Sequence, residues 1–210
     1  NKFEPMPEGE LRSRIENLLA RCGFRADGLF VMDGSRRSAH GNAYFTGFGK
    51  GKRIVFFDTL LNRLGGNEIE AVLAHELGHY THHHIWKRVA WIAGASLAFF
   101  ALLGWLIDQS WFYQQLGLSS QGKVLALTLF ALVAPVFSFP LSPLMSLMSR
   151  KHEFEADAYA AAHTQSGWPG TALVKLYRDN ASTLTPDPLY SSFYDSHPPA
   201  ALRVAKLQTL

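Results

Sequence analysis

His75-Glu76-Leu77-Gly78-His79 is the stretch whose reading decides this chain. It spells H-E-x-x-H. On a helix, residues four apart project from one face a single turn apart, so two imidazoles can grip one zinc ion. Glu76, between them, is then the expected general base toward water. Two histidines and a glutamate also meet at this spacing by accident, so the flanking sequence has to decide. Gly65-Gly66 reads as a break, and Asn67 with Glu70 forms an N-x-x-E variant of a capping box. Ile69, Val72 and Leu73 then supply an apolar stripe, which predicts a half-buried helix over 68–79.

A catalytic zinc needs a third protein ligand and one open position. In one metalloprotease class a third histidine follows as H-E-x-x-H-x-x-G-x-x-H. Those positions are His82 and Ile85 here, which excludes that class. The remaining option is a carboxylate on a later helix. The Ala-rich stretch Lys151-His152-Glu153-Phe154-Glu155-Ala156-Asp157 predicts such a helix, with Glu153 and Asp157 on one face. We assign Glu153 as the third ligand. Asp157 is expected to accept a hydrogen bond from the outer ring nitrogen of a ligand histidine. The alternative is a solvated acidic face beside Arg150 and Lys151.

Hydrophobic residues make up 48% of the 210 residues and charged residues 18%, and the apolar ones are unevenly spread. Two runs, 89–107 and 124–148, carry no charge, and each is long enough to cross the roughly 30 Å hydrocarbon core as a helix. They read as a transmembrane hairpin, against the alternative of two buried core helices. Pro135, Pro140 and Pro143 are tolerated in such spans, and Ser138, Ser142, Ser146 and Ser149 suit helix contacts. Lys87 and Arg88 precede the first run, and Arg150 and Lys151 follow the second. The positive-inside rule then places both outer ends, and the metal site, on the cytoplasmic side. Trp105, Trp111 and Tyr113 read as an interfacial belt at the other end. The net charge of +3 suits contact with anionic lipid and is too small to argue for nucleic acid, which is not expected as a partner. Cys22 is the single cysteine, in keeping with a reducing compartment.

A helix is predicted over 8–21, and strands at 29–32, 43–46 and 53–57, with turns at Asp33-Gly34 and over 47–52. The expected fold is α+β, mainly α: a small sheet before the H-E-x-x-H helix, then the hairpin, then the carboxylate helix. The expected divisions are 1–88, 89–148 and 149–210. The segment 41–47, with Asn42, Ala43 and Tyr44, is a candidate edge for pairing with an extended peptide substrate, or else a simple roof over the core. Near the C-terminus, Ser196-His197-Pro198-Pro199 forms a loop, and Pro199 can open a last helix over 199–207. His197 and Arg203 are candidates to stabilise an oxyanion. His82, His83 and His84 receive no role.

Together, the H-E-x-x-H stretch, Glu153-Phe154 with Ala156-Asp157, Ser196-His197-Pro198-Pro199 with Arg203, Asn42-Ala43-Tyr44-Phe45 and Asp187-Pro188-Leu189-Tyr190-Ser191-Ser192 resemble the integral-membrane zinc CaaX prenyl proteases, also called a-factor-converting enzymes. The resemblance covers nearly the whole chain after about residue 25. It implies one Zn2+ per chain held by His75, His79 and Glu153, and Glu76 as catalytic base. It implies Asp157 at a position sometimes proposed as proton donor, and His197 and Arg203 in contact with substrate or transition state. It implies removal of the C-terminal tripeptide after a prenylated cysteine, in the bacterial inner membrane or the endoplasmic reticulum membrane. Other readings are a quality-control membrane protease of heat-shock type and a non-catalytic scaffold with structural zinc. Because the chain starts at Asn1 and a lone hairpin is a sparse anchor, a longer membrane protein is expected.

Overall fold

The computed structural model describes residues 2–37, 39–47, 51–165, 167–179 and 185–210. The elements follow in the order β1 (Phe3–Pro5), α1 (Glu10–Arg21), β2 (Gly28–Met32), β3 (Ala43–Thr46), β4 (Arg53–Phe57), α2 (Asp58–Arg63), α3 (Gly66–Thr81), α4 (His84–Leu106), α5 (Ser110–Gln115), α6 (Lys123–Ser138), α7 (Ser142–His163), α8 (Trp168–Asp179), α9 (Pro188–Tyr194) and α10 (Ala200–Leu207). Mainly helical, with a small sheet ahead of the H-E-x-x-H helix and two long apolar helices, it has the architecture expected.

The sheet has the order β1-β2-β4-β3. The three predicted strands are β2, β3 and β4. β2 and β4 run parallel in the centre, and β3 pairs antiparallel to β4 at one edge. β1, on the other edge, was not predicted: three residues ending in Pro5 carry no alternation, and proline is tolerated only where a strand N–H is not needed. The turn expected over 47–52 includes 48–50, which lie outside the described residues.

One face of the sheet closes on α1 and α3. Ile15, Leu18, Ile54, Phe56, Ile69, Leu73 and Leu77 meet in a single core. The start of α3 differs from expectation. The cap is Gly65, whose N–H donates to the Glu68 carboxylate at 2.8 Å, two residues earlier than the Asn67–Glu70 pair. Glu70 is buried and accepts from Arg14 at 3.2 Å and Arg21 at 2.7 Å. A carboxylate in that position pins α1 to α3 instead of capping a helix.

α4 spans 23 residues, roughly 35 Å at the helical rise of 1.5 Å per residue. In α4, and in the run formed by α6 and α7, only 11% of the most apolar stretch is buried. Ile92, Leu97, Phe100, Leu132, Val136, Phe137 and Leu144 all face outward. Neither helix is therefore buried in the core of this chain. At the tip, Tyr113 is fully buried and donates to the Ile107 carbonyl at 2.8 Å. It belongs to the packing of the connecting α5 and not to an outer aromatic belt, whereas Trp105 and Trp111 are exposed. α7 continues from the apolar run directly into the Glu153 segment, crossing the 148/149 division without a break.

Candidate metal centre

α3 and α7 make the most extensive helix contact in the molecule. Gly78 permits it. A Cβ there would stand 2.9 Å from Ala156 Cα and 3.1 Å from the Ala156 carbonyl oxygen, so a side chain at 78 would hold the helices apart. At this approach the H-E-x-x-H face of α3 and the Glu153/Asp157 face of α7 look into one space.

His75 Nε2 and His79 Nε2 lie 3.1 Å apart. His75 Nε2 is 3.6 Å from Glu153 Oε2, and His79 Nε2 is 3.4 Å from Glu153 Oε1. Ligands about 2.0–2.1 Å from a tetrahedral ion stand roughly 3.3–3.4 Å from one another. The three separations therefore suit one zinc-sized ion, and two nitrogens and one carboxylate oxygen are a donor set that such an ion takes. Glu153 is 5% exposed, while the histidines are partly open, so the space is walled on the α7 side and accessible on the other.

Asp157 Oδ1 lies 3.0 Å from His75 Nδ1. A carboxylate at that nitrogen holds the proton on Nδ1 and leaves the Nε2 lone pair directed at the ligand space. Arg203, brought by α10, is buried and clamps Asp157 with two bonds, Nε to Oδ2 at 2.8 Å and Nη2 to Oδ1 at 2.6 Å. Its Nη1 is 3.1 Å from Glu153 Oε2. The guanidinium thus has all its nitrogens facing the Asp157 and Glu153 carboxylates. Burial pushes its pKa down, and the Asp157 and Glu153 carboxylates more than reverse that, so it is held cationic.

His197 takes the open side. It is exposed, and its Nδ1 lies 3.0 Å from Glu153 Oε2. The hydrogen bond to Glu153 raises its pKa against the opposing effect of burial. Burial raises the Glu76 carboxyl, the His75 and His79 imidazoles oppose this, and the Glu153 carboxylate adds to it. A carboxyl lifted toward neutrality is suited to taking and returning a proton.

A cleft of about 730 Å3 adjoins the centre, lined in part by Asn42, Tyr177, Tyr190, His197 and Arg203. Asn42 thus lines the cleft beside the centre. Ala43 does not by its side chain, which is buried in the core, and its N–H bonds the Asn42 side chain at 2.9 Å. Tyr44 packs edge-on to Phe57. Only the β3 backbone remains for a peptide to pair with.

Sequence reasoning missed two further members. His84 is buried, within 2.9 Å of both His79 and Glu155, and His152 stacks on it. His84 follows a helix break, so no periodicity links it to the motif.

The comparisons agree with this geometry. The model of "Peptidase family M48" matches residues 5–210. The chain is 40% identical to CAAX prenyl protease 1 of Saccharomyces cerevisiae over 99% of this chain and 49% of that one. It is 33% identical to the Homo sapiens CAAX prenyl protease 1 homolog, over 100% of this chain and 52% of that one. The crystal structure of S. mikatae Ste24p superposes with a TM-score of 0.87 at 41% identity, covering 99% of this chain and 52% of that one. The chain therefore spans about half the length of the curated relatives it matches. With a fold, a motif order and a family model in agreement from one end to the other, this chain belongs to peptidase family M48.

Proposed function

We propose that this chain is the metal-binding part of a zinc-dependent integral-membrane endopeptidase of CaaX prenyl protease type, removing the C-terminal tripeptide after a prenylated cysteine. The observation that carries this reading is the convergence of His75, His79 and Glu153 at separations suited to one zinc, with Glu76 close enough to interact electrostatically with all three. The names of the relatives supply the substrate class.

His75, His79 and Glu153 hold one Zn2+ per chain. When bound, zinc supplies Lewis-acid polarisation of a carbonyl and makes water more acidic. Glu76 takes a proton from the attacking water and returns it to the leaving amine. His197 donates to the carbonyl oxygen as it gains negative charge. Asp157 fixes the His75 tautomer, and Arg203 fixes Asp157 and Glu153, so both act by positioning. The substrate peptide lies along β3, with Asn42 at the entrance to the cleft. The units 1–88 and 149–210 build the protease part on either side of a hairpin at 89–148, which crosses the bacterial inner membrane or the endoplasmic reticulum membrane amid its lipids. The metal faces the cytoplasm, and nucleic acid has no part.

The test is zinc content together with cleavage of a farnesylated CaaX peptide and its unprenylated twin by the intact protein in detergent. About one zinc per chain with prenyl-dependent cleavage supports the reading. Equal cleavage of both peptides moves the function to broader membrane proteolysis of heat-shock type. Zinc without cleavage of either moves it to the scaffold.

A further inference from the structure

His79 Nδ1, the nitrogen turned away from the ligand space, lies 2.9 Å from Nδ1 of His84. His84 Nε2 lies 2.9 Å from Glu155 Oε2. His84 opens α4, is 4% exposed, and stacks on His152 at 4.1 Å and 15°. Its neighbour His83 has φ 56°, the single non-glycine residue with positive φ among the described residues. A side chain in that region crowds its Cβ against the neighbouring carbonyl, and the turn it makes brings His84 to His79.

These contacts admit one consistent set of protons. A histidine that ligates through Nε2 carries its proton on Nδ1. For His79 the partner at that proton is His84 Nδ1, which must then be bare and accept it. A neutral His84 with a bare Nδ1 carries its proton on Nε2, and that proton points at the Glu155 carboxylate. From His79 through His84 to Glu155, each donor meets an acceptor. The two ligand histidines are thus backed alike: His75 by Asp157 directly at 3.0 Å, His79 by Glu155 through one intervening imidazole.

We propose that His84 and Glu155 are positioning residues that fix the tautomer and orientation of His79. This rests on the metal-site reading above. The same side chains could instead hold a second ion with His152. Their geometry speaks against it. Lone pairs in two parallel stacked rings run side by side and do not converge on an ion at about 2.0–2.1 Å, and both nitrogens of His84 already face partners.

The test uses the intact protein in detergent, loaded with zinc, in competition with a chromogenic zinc chelator. His84→Phe keeps the ring shape and removes the acceptor, and should weaken zinc retention roughly 10–100-fold, the usual effect of losing such a partner. His84→Gln, whose amide can accept from His79 and donate to Glu155, should recover most of it. A merely structural role predicts no such rescue. In cobalt-loaded protein, the visible ligand-field band should shift in His84→Phe and return toward wild type in His84→Gln. If His84→Phe does not fold, Glu155→Ala decides: weaker zinc retention supports the relay. Unchanged retention in folded His84→Phe, or in Glu155→Ala, overturns it. Two zinc ions per chain, one lost on His152→Ala, also overturn it in favour of a second metal. Wild-type protein that holds no zinc overturns the metal site itself, whereas zinc held equally by wild type and variants overturns the relay alone.

Discussion

Gly78 and Ala156 touch backbone to backbone: a methyl group at 78 would stand 2.9 Å from Ala156 Cα. This contact sets the separation of α3 and α7, and with it the spacing of the three ligands. Gly78→Ala should therefore destabilise the protein, although alanine favours a helix by about 1 kcal/mol over glycine. The obstacle is backbone, which cannot rotate away, and overpacking of this kind costs about 1–3 kcal/mol. Zinc retention should fall with it. Adding Ala156→Gly should not rescue the variant, because the atoms in the way are the Ala156 Cα and carbonyl oxygen and the Tyr159 Cβ. Unfolding midpoints and chelator competition on the single and double variants check this. Rescue by the second change would place the clash at the Ala156 methyl.

Glu76→Gln separates metal binding from turnover. The amide keeps the shape and gives up the proton acceptor, while His75, His79 and Glu153 are untouched. Zinc content should stay near wild type, and peptide cleavage should fall by at least roughly 100-fold, the lower range for loss of a general base. Metal analysis and kinetics on one preparation read both. Cleavage within a few-fold of wild type would remove Glu76 from the role of base.

How much of this was legible in the sequence depended on whether a feature is local. The helix bearing His75 and His79 follows from apolar periodicity, and the ligand helix from its alanines. The sheet strands 29–32, 43–46 and 53–57 follow from short apolar runs between turn residues. What was missed depends on partners distant in sequence. Glu70 looked like a capping residue until Arg14 and Arg21 were seen beside it. No local pattern around Arg203 reveals that its guanidinium meets Asp157 and Glu153. Tyr113 looked interfacial because a tyrosine after an apolar run usually is, and its burial comes from α5 folding back at the hairpin tip. His84 has no role in the sequence reading, because nothing local shows that a left-handed turn at His83 returns it to His79.

Arg203→Met should expose the cost of a buried carboxylate left without its partner. Asp157 and Glu153 are each 5% exposed and both face this guanidinium. Breaking one side of such a buried set costs about 3–5 kcal/mol. Arg203→Lys should recover only part, since an ammonium cannot reproduce the two-pronged contact with Asp157. Zinc binding should weaken in both variants, more in Arg203→Met. Chemical unfolding in detergent and chelator competition measure the order. Full stability in Arg203→Met would mean that the carboxylates take up protons or a cation in its place.

The orientation of the hairpin has its own consequence. Lys87, Arg88, Arg150 and Lys151 lie at the ends that carry the metal ligands, while the tip between α5 and α6 has little charge. If positive charge keeps the ligand-bearing ends in the cytoplasm, the tip faces the other side. Cys22, the single cysteine, can be replaced by serine to clear the background. Ser119, at the tip, and Arg63, beside the protease part, are both exposed. In intact cells or sealed vesicles of known orientation, Ser119→Cys should react with a membrane-impermeant maleimide from the non-cytoplasmic side. Arg63→Cys should react only after the membrane is opened. The reverse pattern would put the metal site on the opposite face, where a prenylated substrate made in the cytoplasm could not reach it, and the CaaX reading would fall with the orientation.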